Sequence, residues 1–203
     1  SMELCRRVYR VIREYPVSMV ICTNGYDYRI GTTDEVEESI LLEAMLFHMN
    51  LSREEVKKTP VYLRMIERTK IIADLAELEE KGVPVYKLFL FSEDRAMLEE
   101  IRKRLEPDRE IAAASSFPTN LELTDVKAQK GPVLKAYIES LGYTMDEVMV
   151  LGDSLNDLSM ISMDFGATVA MENGDEEVKR AAKYITKTNG EFGVAYAIRE
   201  LIK

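Results

Sequence analysis

Residues 148–160 read VMVLGDSLNDLSM: an apolar run from Val148 to Leu151, a glycine, and then Asp153 and Asp157 four residues apart, flanking Asn156. A short apolar run followed by glycine and a helix-opening serine predicts a buried strand that turns into a helix. In an open parallel sheet, ligands bind beyond the carboxyl ends of the strands, which is where Gly152 and Asp153 fall. One reading of the cluster is local: Ser154 caps the helix and Asp157 completes a capping box. That accounts for Ser154 and Asp157 but leaves Gly152, Asp153 and Asn156 without a purpose. The other reading uses all of them. A hard cation such as Mg2+ needs only one or two carboxylates when substrate phosphate and water fill its shell. Asp153 is then the direct metal ligand and Asp157 binds or orients a metal-bound water. Asn156 hydrogen-bonds an anionic oxygen, helped by backbone N–H groups at the helix start.

Around this stretch, from Lys130 onward, helix and strand signals alternate: GPVLKAYIESLGY, EVMVLG, SLNDLSMISMDFG, ATVAM, DEEVKRAAK, YIT and EFGVAYAIRELIK. Such alternation predicts right-handed crossovers and a parallel sheet. The N-terminal part has a different rhythm. Leu4, Val8, Val11 and Ile12 form one apolar face of a helix that Pro16 ends. Val17–Thr23 is a nearly continuous apolar run closed by Asn24-Gly25, as expected of a strand buried on both faces of a parallel sheet. Helices are expected over 33–50 and 61–81, then a strand VYKLFLF, a helix over 94–105 and short β runs at 111–115 and 121–123. Helices and strands without strict alternation suggest a small mixed α+β unit.

Composition narrows the function classes. With 203 residues, 46% hydrophobic and 31% charged, the chain is long enough for a proper core. Thirty-six acidic against 27 basic residues give a formal charge of -9, which disfavours nucleic acid and anionic membranes as partners. Cys5 and Cys22 lack zinc-site spacing and the density of a secreted scaffold, so a reducing, cytoplasmic location is expected. No apolar run approaches the ~18 residues of a membrane span. His48, the single histidine, lies in an apolar helix and reads as packed rather than catalytic. Glu172, Asp175, Glu176 and Glu177 read as a solvated helix start.

GDSLNDLSMI closely resembles the fourth motif of haloacid dehalogenase superfamily phosphatases, particularly the Cof-type branch, with its GD-x-x-ND-x-x-M pattern. AMENGDEEVKRAAKYIT and TNGEFGVAYAI are similar to stretches that follow it in that family, and QKGPVLKAYIESLGY resembles the third motif, its lysine falling on Lys130. The resemblance is strong from about Thr119 to Lys203 and weaker over Val17–Gly31. It implies an α/β fold: a Rossmann-like parallel core, incomplete at the N-terminus, with an inserted α+β cap. The expected division is residues 1–29 as the N-terminal part of the core, 30–122 as cap and 123–203 as the C-terminal part of the core. It also implies a Mg2+-dependent phosphatase acting on a small phosphorylated metabolite such as a sugar phosphate. Lys130 would steady the nucleophile and phosphate, Asp153 and Asp157 would serve the metal, and Asn156 and Asn24 would contact phosphate or substrate.

One departure matters. The family's nucleophile stands in a D-x-D-G-T stretch, and this sequence has no two aspartates two residues apart. The second motif, a Thr or Ser followed by Gly-Arg, is absent too. The expectation is a chain that begins after both, missing about forty to fifty residues of a typical member. Strand Val17–Thr23 would then pair directly with Glu147–Leu151, leave an edge exposed, or be completed by a second copy through self-association or strand exchange. The rival expectation is a non-catalytic relative that binds a phosphorylated ligand or associates with itself.

Overall fold

The computed structural model describes residues 1–202, which separate into two compact units: residues 1–113 with 117–124, and 114–116 with the chain from Asp125 onward.

The first unit is built on a six-stranded sheet. Its elements in chain order are α1 (Met2–Ile12), β1 (Ser18–Thr23), β2 (Asp27–Ile30), α2 (Thr33–Phe47), α3 (Arg53–Val56), α4 (Pro60–Arg68), β3 (Thr69–Ile72), α5 (Ala76–Glu80), β4 (Val85–Phe91), α6 (Arg95–Leu105), β5 (Ile111–Ala114) and β6 (Asn120–Asp125). The strand order is β3-β2-β1-β4-β6-β5. On one face, Ile21 of β1, Leu88 and Leu90 of β4 and Leu121 and Leu123 of β6 form a single core with Val8 and Ile12 of α1, Leu78 of α5 and Leu98 and Ile101 of α6. The strand pleat sends alternate residues to opposite faces, so Phe89 and Phe91 lie on the other side from Leu88 and Leu90. Over part of that second face α2 is tied down by Arg29. This buried guanidinium donates to Ser18 (3.0 Å) and Ser39 (2.6 Å) and pairs with Glu43. α2 also closes a smaller cluster of its own, in which Ile40, Leu41 and Ala44 meet Val56 and Tyr62.

Two expectations are corrected here. Residues 1–29 do not join the parallel core, and Val17–Thr23 does not pair with Glu147–Leu151. Strand β1 is central in the first unit's sheet, antiparallel to β2 through the Asn24-Gly25 hairpin and antiparallel to β4 from Ser18↔Phe91 onward. An apolar run bounded by turns suits any strand covered on both faces, and here α1 and α2 provide the cover. Nor is the segment over 61–81 one helix. It breaks into α4, β3 and α5, because the β-branched run Thr69-Lys70-Ile71-Ile72 extends and pairs parallel with β2.

The second unit contains α7 (Lys130–Ser140), β7 (Met149–Gly152), α8 (Leu158–Ile161), β8 (Ala167–Ala170), α9 (Glu176–Ala181), β9 (Tyr184–Ile185) and α10 (Gly193–Leu201), with a 3-10 turn over Leu155–Asp157 leading into α8. The strands form a parallel sheet in the order β7-β8-β9. Ile138, Val150, Ile161, Phe165, Ala170 and Val178 fill its core. The alternation expected from Lys130 onward is realised, with the helix after β7 shorter than the periodicity predicts. Among the described residues no helix is long and apolar enough to cross a membrane. Both cysteines are free thiols. Burial, with Asp27 nearby, pushes Cys22 up to about 11, so it stays protonated and unreactive at neutral pH.

Leu90 is fully buried in the first unit's core. Leu90→Ala is expected to cost about 2–5 kcal/mol in denaturant unfolding; an unchanged midpoint would show that the sheet-helix core is not what holds this unit together.

Candidate functional site

At the carboxyl end of β7 the chain makes a tight turn around Asp157. This carboxylate is 5% exposed, and both of its oxygens are engaged. One accepts from Lys130 Nζ at 2.5 Å; the other accepts from the backbone N–H groups of Asp153 (3.0 Å) and Ser154 (3.3 Å). Burial by itself would raise the Asp157 carboxyl. The Lys130 ammonium and the two backbone donors more than offset it and hold the group below the usual carboxylate range. The charged form is therefore the resident one, and it keeps Lys130 in place.

Two glycines make this arrangement possible. A Cβ on Gly152 would stand 2.6 Å from Asp157 Cβ, so only glycine lets the carboxylate fold back over the strand end. A Cβ on Gly131 would meet the backbone carbonyl oxygen of Ser159 at 2.2 Å. Glycine there brings the start of α7 directly against α8, where Gly131 N–H donates to Ser159 Oγ at 3.3 Å. The lysine-glycine pair thus sets Lys130 at a fixed distance from Asp157 across 27 residues of sequence.

Asp153 differs from its neighbour. Its carboxylate is exposed, and among the described residues no donor is bonded to it. Its backbone is held firmly instead: the carbonyl accepts from Asp175 N–H at 2.7 Å, and a Cβ on Gly174 would collide with that carbonyl at 2.8 Å. Asn156 is half-buried, its side-chain carbonyl accepting from Ser154 Oγ at 2.9 Å. Asn173 Oδ1 accepts from Asn189 N–H at 2.9 Å, joining the turns that follow β8 and β9.

Lys130, Asp153, Asn156 and Asp157 are accordingly brought together by the second unit alone. Asn24 is not part of this cluster; it sits exposed in the β1–β2 hairpin of the first unit. His48 ends α2 in that same unit. Ser159, Gly174 and Asp175 were not expected to support the site. The only trace of their role in the sequence is the Asn173-Gly174 turn signal, and Asp175, read as part of a solvated helix start, both caps α9 and anchors Asp153.

Comparison with known proteins identifies the family. Residues 1–198 match the haloacid dehalogenase-like hydrolase sequence family. The chain belongs to this family. A 5-amino-6-(5-phospho-D-ribitylamino)uracil phosphatase of Bacillus subtilis is 43% identical over 110 residues, which is 54% of this chain and 44% of that protein. Phosphatase YwpJ of the same organism is 38% identical over 133 residues, 64% of this chain and 46% of the relative. The matches thus span about half the length of these curated relatives. A solved haloacid dehalogenase-like hydrolase from B. subtilis superposes with a TM-score of 0.72 at 27% identity, covering 98% of this chain and 71% of that one. The Cof-type resemblance of the GDSLND stretch and the Rossmann-like fold are in accord with these relatives.

Two outcomes test the geometry. Because the Asp157 carboxyl is held below its unfolded value of about 4, its stabilising contribution is present above that pH and is lost as the pH falls through the lower, folded value. Asp157→Asn should therefore flatten the acid limb of a stability-versus-pH curve; an unchanged limb would mean that the carboxylate is not held as described. Gly131→Ala should destabilise the second unit by about 1–3 kcal/mol in denaturant unfolding, whereas a neutral effect would deny the close approach of α7 to α8.

Proposed function

We propose that this chain carries the phosphate- and metal-gathering part of a Mg2+-dependent phosphatase that acts on a small phosphorylated metabolite such as a sugar phosphate. The observation that carries the reading is the pairing of Lys130 with the buried Asp157 directly beneath the exposed Asp153 at a parallel strand's carboxyl end. Lys130, with one donor given to Asp157, has its remaining N–H donors for phosphate oxygens. Asp153, with its unencumbered carboxylate, is the residue that would hold Mg2+. Among the described residues no three acidic, histidine or cysteine side chains gather as ligands. One or two carboxylates nevertheless suit Mg2+, which keeps waters and substrate oxygens in its shell. Asp157, occupied by Lys130 and the backbone, orients rather than ligates. Bound there, the ion would neutralise charge on the transferred phosphoryl group. Asn156 adds a polar contact, and Asn24, in the first unit's hairpin, is a separate candidate for a substrate contact. In this reading the first unit is the cap.

The attacking group is the part these residues do not supply. Phosphoryl transfer in the family is expected to go through an aspartate in D-x-D spacing, and none stands in the 203 residues. The second reading, a phosphate-ligand-binding or self-associating protein without turnover, draws its support from that same absence. Among the described residues strand β7 pairs only with β8 in its sheet, so a second copy lending a strand would complete it.

With a generic phosphomonoester and Mg2+, turnover by this chain should be near background, while inorganic phosphate binding should weaken about tenfold or more in Lys130→Ala. Robust turnover abolished by Asp153→Ala would place the attacking group within these residues and overturn the account. Phosphate binding indifferent to Lys130 would remove the phosphatase reading altogether.

A further inference from the structure

Four of the chain's six phenylalanines converge on one cavity of about 480 Å³ that lies wholly in the first unit. Its wall includes Phe89 and Phe91, the residues of β4 that point away from the core, together with Phe47 at the end of α2, Met49 just beyond it and Phe117 from the turn before β6. Phe47, Met49 and Phe117 are 61%, 85% and 63% exposed. Side chains of this kind normally bury themselves, and leaving three in water around a hollow costs hydrophobic free energy that an occupant would recover. The turn is not loose, since Phe117 N–H donates to the buried Asn120 Oδ1 at 3.2 Å.

The chemistry of the wall selects the occupant. Phenylalanine rings favour offset or edge-on contact with another ring. The charges at the cavity are balanced: Glu93 and Arg95 oppose each other in sign, and Glu43 is already paired with Arg29. An occupant of strong net charge gains nothing from such a wall, whereas a neutral ring with a polar edge matches both its apolar surface and its few donors and acceptors. The volume is that of a small-molecule pocket.

We propose that this cavity binds a planar aromatic or heteroaromatic group of one or two fused rings. The site belongs to the first unit alone and stands apart from the phosphatase reading above.

A probe without phosphate separates the two claims. Calorimetric titration with 4-methylumbelliferone, a neutral fused two-ring compound, should show saturable binding to the intact chain, and sorbitol should show none. Phe47→Ala and Phe117→Ala lie at exposed positions that the fold tolerates, and each should weaken binding about fivefold or more, with Phe117→Tyr restoring it. Lys130→Ala should leave ring binding unchanged, so phosphate binding indifferent to Lys130 with ring binding intact would sink only the phosphatase reading. The cavity proposal is overturned by an absence of saturable binding, or by equal affinity in all variants. It is equally overturned if the chain self-associates and Phe47→Ala with Phe117→Ala abolishes that association, which would make the face an interface between copies.

Discussion

A carboxylate shielded from water must either be neutral or be surrounded by donors. Asp157 takes the second course, and the local architecture of the second unit follows from it. Its two oxygens need Lys130 on one side and the N–H groups of residues 153 and 154 on the other. To meet the lysine, α7 must press on α8, which is why residue 131 has no side chain. To meet the N–H groups, the chain must turn sharply after β7, which is why residue 152 has none. The same turn leaves Asp153 projecting into solvent with its backbone held by the loop that follows β8.

This division of labour between two aspartates is set by environment rather than by residue type. One is saturated with donors and acts as a fixed anionic anchor; the other stands exposed, with no donor bonded to its carboxylate among the described residues. A lysine held by a buried carboxylate loses conformational freedom, which on the proposed reading lowers the entropy needed to engage a phosphate. On the proposed reading, this arrangement would receive an anion and a hard cation side by side.

Much of this was legible in the sequence, and the failures have physical causes. The stretch from Gly152 to Asp157 stands out because glycine, a capping residue and spaced carboxylates each serve a local rule, and the surplus residues demand another explanation. The alternation from Lys130 onward is a strong pattern because short apolar strands there alternate with helical segments, even though α8 and α9 are only four and six residues long. Val17–Thr23 misled because an apolar run records burial on both faces and says nothing of strand direction or neighbour. Thr69–Ile72 was hidden because four β-branched and basic residues between helical segments are too short to break a periodic pattern. The role of Asp175 left no compositional trace, since it acts through its backbone N–H on a carbonyl 22 positions earlier. The aromatic cavity was equally invisible, because its rings come from three separate segments.

The central claim is that the cradle formed by Lys130, Asp153 and Asp157 gathers a phosphoryl group beside a magnesium ion. Titrating the isotopically labelled chain with inorganic phosphate and then Mg2+, while following backbone amide resonances, addresses it most directly. The account predicts saturable shifts at Gly131 and over residues 152–157, with the Mg2+ response at Asp153 lost in Asp153→Ala. Saturable shifts confined to other parts of the chain, or no response at this turn at millimolar ligand, would contradict it.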